Sequence, residues 1–239
     1  MTSSVALLSP RLGKVGLVAL LGLLSSCATA TTPPVATSPA SQPSPVPAVA
    51  AIDSPPQWRV GDRWMYGWTA GSETGTKTVE VVELRELNQV MFYIVRVGDL
   101  THLYTRELQW AGSMRNQRVE SRMTPPLPWF AWPLESGRRW VHQGTYEDAN
   151  GKTPDSDRFS VAGVEAVEVP AGRFQAVKVI RETDRKDLDQ YWYAPEVGFY
   201  VKWVGRRGDA QFEEQLQEYR RMPPADPSHP TPAPPSTTR

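Results

Sequence analysis

The chain has 239 residues, 26 of them basic and 26 acidic, so it has no global positive field of the kind that gathers nucleic acid. A single cysteine, Cys27, excludes an intramolecular disulfide framework, and the fold must rest on a hydrophobic core. All nine tryptophans fall between Trp58 and Trp203, which locates that core.

Residues 1–26 read as a cleaved export signal. Arg11 and Lys14 precede the apolar run Val15–Leu24, and the small residues Ser25 and Ser26 follow it. At about ten residues, roughly 15 Å as a helix, the run is too short for a bilayer core of about 30 Å. Its ending, Leu24-Ser25-Ser26-Cys27, resembles the lipobox of bacterial lipoproteins; the plainer alternative is an ordinary signal with a chance cysteine at its cut site. The resemblance implies that Cys27 becomes a thioether attachment point for acyl chains such as palmitate, not a nucleophile. Two or more chains hold stably where one binds marginally. Ala28 stands where an Asp would signal inner-membrane retention. By the same resemblance this implies an outer-membrane anchor facing the periplasm in a host with two membranes.

Residues 27–56 are the lipidated cysteine and a tract of Pro, Ala, Ser and Thr whose one charge is Asp53. Such a tract cannot bury a core and predicts a semi-extended tether, reaching roughly 80–90 Å at the polyproline limit. Residues 222–239, with His229, are similar Pro-rich material and predict a disordered tail.

Residues 57–221 read as a single β domain. Short β-branched and aromatic runs occur at 76–84, 91–97, 102–110, 158–169, 174–183, 189–194 and 198–205, separated by Gly, Asn, Asp and Pro at hairpin spacing. Residues 210–221 are ambiguous, because Phe212, Leu216 and Tyr219 fit helical spacing, but the turn-like "GRRGDA" before them favours a closing strand. "VGDRWMY" (60–66) and "SGRRWVH" (136–142) form a weak internal repeat, predicting two related β units over about 58–124 and 132–219.

"VPAGRFQAVKV" (169–179) followed by "QYWYAPEVGFYVKW" (190–203) is similar to a motif pair of uncharacterised bacterial secreted and lipoprotein β-domains, Pro-Ala-Gly-x-Phe-x-Ala then Tyr-Trp-Tyr-Ala-Pro-x-Val-Gly. The resemblance covers residues 125–219 well and the first half loosely. It implies an all-β antiparallel fold, an open or half-closed barrel, and no activity, since that family has no assigned catalytic residues.

Catalytic signatures are absent. There is no GxSxG, no SxxK after the signal, no GxGxxG and no Walker loop. His102 and His142 stand 40 residues apart without a zinc-ligand spacing, and His142 occupies the ring position of the second repeat, so no metal or cofactor is expected. "YEDANGKTPDSD" (146–157) lacks the ligand pattern of a calcium loop and predicts a polar hairpin loop. "RETDRKDLDQ" (181–190) predicts a solvated hairpin tip, and the RGD at 207–209 another. In "PPLPWFAWPL" (125–134) the prolines exclude a central strand, placing Trp129, Phe130 and Trp132 on a connection between the halves. Those rings either plug a barrel end, the favoured reading, or line an apolar site, with Trp192 and Tyr193 as further contact candidates. The predicted function is a non-enzymatic, membrane-anchored envelope lipoprotein that binds an apolar small molecule or a partner envelope protein. The alternatives are a cell-envelope hydrolase using unidentified carboxylates, and a structural part of an envelope assembly.

Overall fold

The structure, a computed structural model, describes residues 51–224; Cys27, the signal and most of the tether and tail lie outside the described residues. Twelve strands follow one another: β1 (Arg63–Ala70), β2 (Glu73–Leu87), β3 (Val90–Val97), β4 (Leu100–Thr105), β5 (Trp110–Arg115), β6 (Arg118–Leu127), β7 (Arg139–Asp148), β8 (Gly151–Val169), β9 (Gly172–Thr183), β10 (Leu188–Ala194), β11 (Phe199–Arg207) and β12 (Ala210–Arg220). Each pairs with its sequence neighbour, and β1 pairs with β12 from Arg63↔Arg220 to Ala70↔Phe212.

The all-β barrel class matches expectation, but the barrel is closed rather than open or half-closed. Residues 210–220 form a full strand with β11 on one side and β1 on the other. Two backbone ladders override the helical spacing of Phe212, Leu216 and Tyr219, and closure removes the free edges that an open sheet would expose.

The repeat is built into the backbone. Gly61 and Gly137, 76 residues apart, both take positive φ (93° and 84°) immediately before β1 and β7. Gly61 N–H donates to Val81 C=O (2.8 Å) and Val81 N–H to Asp62 C=O (2.9 Å). Gly137 N–H and Val161 C=O, then Val161 N–H and Arg138 C=O, repeat this at 2.9 Å each. A bulge follows in both long strands, after Val81 and after Val161. β1 and β7 therefore open with the same backbone geometry.

Three segments read as connections are strand in whole or in part. The loop expected at 146–157 shrinks to the turn between Asp148 and Gly151, with strand pairing on both sides. The tip expected at 181–190 is confined to residues between Thr183 and Leu188. Pro125 and Pro126 complete β6, but they lack N–H groups, and β6–β7 pairing stops at Thr124↔Thr145.

One end of the barrel is filled with rings. Trp58 packs on Phe199, Trp64, Tyr93 and Tyr104 at centroid distances of 5.0–5.6 Å. Its indole N–H donates to Gly198 C=O (2.8 Å), and that of Trp64 to Val197 C=O (3.0 Å). The β6–β7 connection lays Phe130 and Leu134 into the same core, and Leu134 exchanges backbone hydrogen bonds with Ile52. Fully buried Asp62 joins the segments that flank the first and last strands here. It accepts from Arg59 N–H (2.9 Å), Met222 N–H (2.6 Å) and Arg221 Nε (3.0 Å).

Candidate functional site

Strand alternation sends a second set of residues inward, and on β7 to β11 many of them are charged. On the β7–β8 hairpin His142 faces Asp157 and Gly144 faces Asp155. Gly144 leaves the space the imidazole needs, since a Cβ there would lie 2.8 Å from His142 Cε1 and 2.9 Å from Thr124 C=O. Leaning over Gly144, His142 donates from Nε2–H to Pro125 C=O (3.0 Å), which leaves its Nδ1 as the lone-pair nitrogen.

Arg181 on β9 bridges the neighbouring acids, with Nη2 2.8 Å from Asp157 Oδ2 and Nη1 3.2 Å from Asp189 Oδ2. Asp189 on β10 also accepts from Arg207 Nη2 at both oxygens (2.8 and 3.0 Å) and from Trp203 Nε1–H (3.1 Å). Arg207 ends the chain at Asp187, 3.5 Å from its Nε. A second inward group lies across the barrel: Lys77 pairs with Glu214 (2.6 Å), which accepts from Tyr200 O–H (2.7 Å), while Tyr66 stacks on Tyr200.

The electrostatics of the two neighbouring acids diverge. Burial raises Asp157 above the ordinary carboxylate range despite Arg181, whereas His142 beside Asp155 lowers that carboxyl against its own burial. Burial works against an imidazolium at His142, but Asp155, the Pro125 carbonyl and Asp157 outweigh it and raise that group. Burial, helped by Lys77, pushes His102 down to about 4, and its Nδ1 accepts from Trp110 Nε1–H (3.0 Å). Burial also carries Tyr66, Tyr191 and Tyr200 well above the usual phenol range.

Four buried atoms of this cluster have no hydrogen-bond partner: His142 Nδ1, Asp155 Oδ2, Asp157 Oδ1 and, beside them, Arg181 Nε. His142, Asp155 and Asp157 can present one donor atom each within 4.8 Å of one another, a set able to hold a metal ion. Sequence reasoning missed this convergence. Its signal was the short turn at Ala149-Asn150, because residues equidistant from it, such as His142 and Asp157, must face each other in a two-residue hairpin.

The ring candidates from the sequence divide. Trp129 stacks on Tyr191 (5.6 Å) and meets Tyr104 edge-on (5.9 Å). Phe130 is 1% exposed, and Tyr193, also 1% exposed, packs against both Phe130 (5.1 Å) and Trp132 (5.3 Å). These four rings therefore meet at the filled end. Trp192 points the other way, onto the outer wall. There Lys178 and Lys202 lie 4.8 and 5.6 Å from its ring, and its N–H donates to Glu165 (2.9 Å). Concavities of about 490 Å³, between the β1–β2 and β11–β12 turns, and about 50 Å³, between β1 and β12, touch neither these rings nor the His142 cluster.

No protein-family model matches the chain, and no curated protein does. Among solved structures it is similar to a Bacteroides fragilis protein of YmcC-like fold inferred to be exported, 13% identical, covering 72% of this chain and 100% of that one with a TM-score of 0.46. It is also similar to a Parabacteroides distasonis protein inferred to be a lipoprotein (12% identical, 69% and 97% covered, TM-score 0.41). A third is the hypothetical lipoprotein YmcC of Escherichia coli (14% identical, 66% and 87% covered, TM-score 0.33).

Proposed function

We propose that the chain is a lipid-anchored protein of the bacterial cell envelope, held to the outer membrane through Cys27, whose barrel is a non-enzymatic binding module for a partner envelope protein. The observation that carries the anchor is the Leu-Ser-Ser-Cys ending of a short apolar run, followed directly by a Pro-rich tether. The outer wall supports a barrel standing in water rather than one spanning the bilayer. It carries the cross-strand pairs Arg96–Glu80, Lys178–Glu165, Lys202–Glu213 and Arg158–Glu182. Charges on a lipid-facing barrel wall cost about 2–4 kcal/mol each for Arg or Lys near the bilayer midplane.

A protein partner is favoured over an apolar small molecule by the packing of the rings. Phe130 and Tyr193 are almost fully buried and Trp129 is stacked on Tyr191, so they fill the barrel end instead of lining a groove. Leu84, Val90 and Met91 of the β2–β3 hairpin, 38–45% exposed, offer apolar contact area to a partner. The hydrolase alternative has one observation in its favour, the convergent acids Asp155 and Asp157 with pKa values moved apart. Against it, the two present oxygens within 4.8 Å of each other, closer than the roughly 5–9.5 Å between the carboxyl groups of glycosidases, and Asp157 is fully buried.

The test is expression of the full chain in a two-membrane bacterium with labelled palmitate. The label is expected on the wild-type chain in outer-membrane fractions and absent from Cys27→Ala, which should appear free in the periplasm. Photo-crosslinking from position 91 should then capture an envelope protein, and crosslinking from position 132 should not. An unlabelled wild-type chain refutes the anchor, and capture of lipid at position 132 would restore the groove reading.

A further inference from the structure

The unpartnered atoms of His142, Asp155 and Asp157 are an anomaly for a folded core, where buried polar groups are almost always satisfied. His142 is 4% exposed and Asp157 fully buried, yet His142 Nδ1 and Asp157 Oδ1 have no hydrogen-bond partner, and Asp155 Oδ2 is in the same state beside them. From these orphaned atoms we infer that His142, Asp155 and Asp157 form a binding site for one divalent metal ion, with Zn²⁺ the best match to one imidazole and two carboxylates. This site is independent of the anchor and of the partner surface proposed above.

The surroundings have the features a metal site requires. The Pro125 carbonyl takes the Nε2 proton of His142, which fixes the tautomer with Nδ1 free and orients the ring. Arg181 holds Asp157 by Oδ2, so its other oxygen is the one left for an ion. His142 Nδ1 and Asp155 Oδ2 are 3.8 Å apart, close to the roughly 3.4 Å between neighbouring ligands of a tetrahedral zinc ion. All three donors fall within 4.8 Å, so modest contraction completes the geometry. Asp155, with its side chain 17% exposed, supplies the way in from solvent.

Charge points the same way. Asp157, Asp187 and Asp189 pair with the guanidinium groups of Arg181 and Arg207, and Asp155 beside His142 adds a fourth carboxylate, so a dication is what balances the four acids against two cations. With three protein ligands, a tetrahedral ion keeps one position for water or a partner's side chain. A protonated His142 is the rival that also adds positive charge, and it needs no ion.

The experiment uses the full chain extracted from membranes in detergent, stripped with chelator, incubated with Zn²⁺ alone and dialysed. Metal content, thermal midpoint and, after loading with Co²⁺, the visible absorption spectrum are recorded. One ion per chain is expected, with a raised midpoint and a Co²⁺ spectrum of a low-coordinate nitrogen–oxygen site. Asp155→Asn is the informative variant, because it removes a ligand whose Oδ2 makes no hydrogen bond in the fold; it should weaken binding at least about a hundredfold, beyond the ten- to hundredfold typical of outer-shell changes. His142→Gln should do the same, and His102→Gln should bind as the wild type does. Failure to retain a stoichiometric ion overturns the inference in favour of the protonated His142. Retention by both Asp155→Asn and His142→Gln overturns it in favour of a site elsewhere.

Discussion

Asp189 is the hub of the interior charge chain, and replacing it by alanine tests whether that chain stabilises the barrel. Its side chain is 1% exposed and accepts from Arg181, Arg207 and Trp203. Alanine leaves Arg181 with Asp157 as its remaining carboxylate and Arg207 with Asp187 at 3.5 Å. Removing one partner of a buried ion pair costs about 3–5 kcal/mol, chiefly because the stranded charge stays desolvated. Arg207 is 24% exposed and can recover water, but Arg181, at 15%, recovers less, so the low end of about 3 kcal/mol applies. For a domain of this size that lowers the thermal midpoint by about 6–12 °C. Urea unfolding followed by tryptophan fluorescence measures it directly. A loss below about 1 kcal/mol would refute this account.

Two further outcomes follow from the same interior. His102 has a folded-state pKa of about 4, below the roughly 6.5 of an unfolded chain, so the unfolded state takes up a proton that the folded state refuses. Its contribution is therefore complete above about pH 6.5 and is lost progressively as pH falls toward 4, by about 2–3 kcal/mol. Urea midpoints at pH 7 and pH 4.5 should converge for wild type and His102→Gln at the lower value; a gap that ignores pH would count against it. Phe130→Ala should cost about 3–5 kcal/mol, because the ring is 1% exposed and packed on Tyr191 and Tyr193, whereas half-buried Trp132→Ala should cost less. Equal losses in a urea titration would show that Phe130 is not the ring that fills the barrel end.

Much of the architecture was legible from local pattern. Alternation in stretches such as Phe174–Thr183 marks a strand because successive side chains face opposite sides, a property of a few residues at a time. The Gly-x-Arg-Trp repeat was legible for a similar reason: Gly61 and Gly137 hold backbone conformations that glycine adopts readily, so the turn leaves a trace in the sequence. The charged clusters misled for a physical reason too. Arg181, Asp189, Asp155 and Asp157 lie near hairpin turns, where charge usually means solvent, and alternation alone does not say which face is inside.

Local pattern along the chain fixes the all-β class and places a ring-rich, proline-bounded segment between strands. Each of those is set by neighbours along the chain. Closure of the barrel by β1 and β12, and the convergence of acids from β8 and β10 on Arg181, exist only in the folded barrel. Only there do His142 and its two carboxylate neighbours leave donor atoms unpaired around one point. Closure and convergence join residues far apart in the chain. Their pairing depends on which faces the closed sheet turns inward, and no local stretch of residues contains that information.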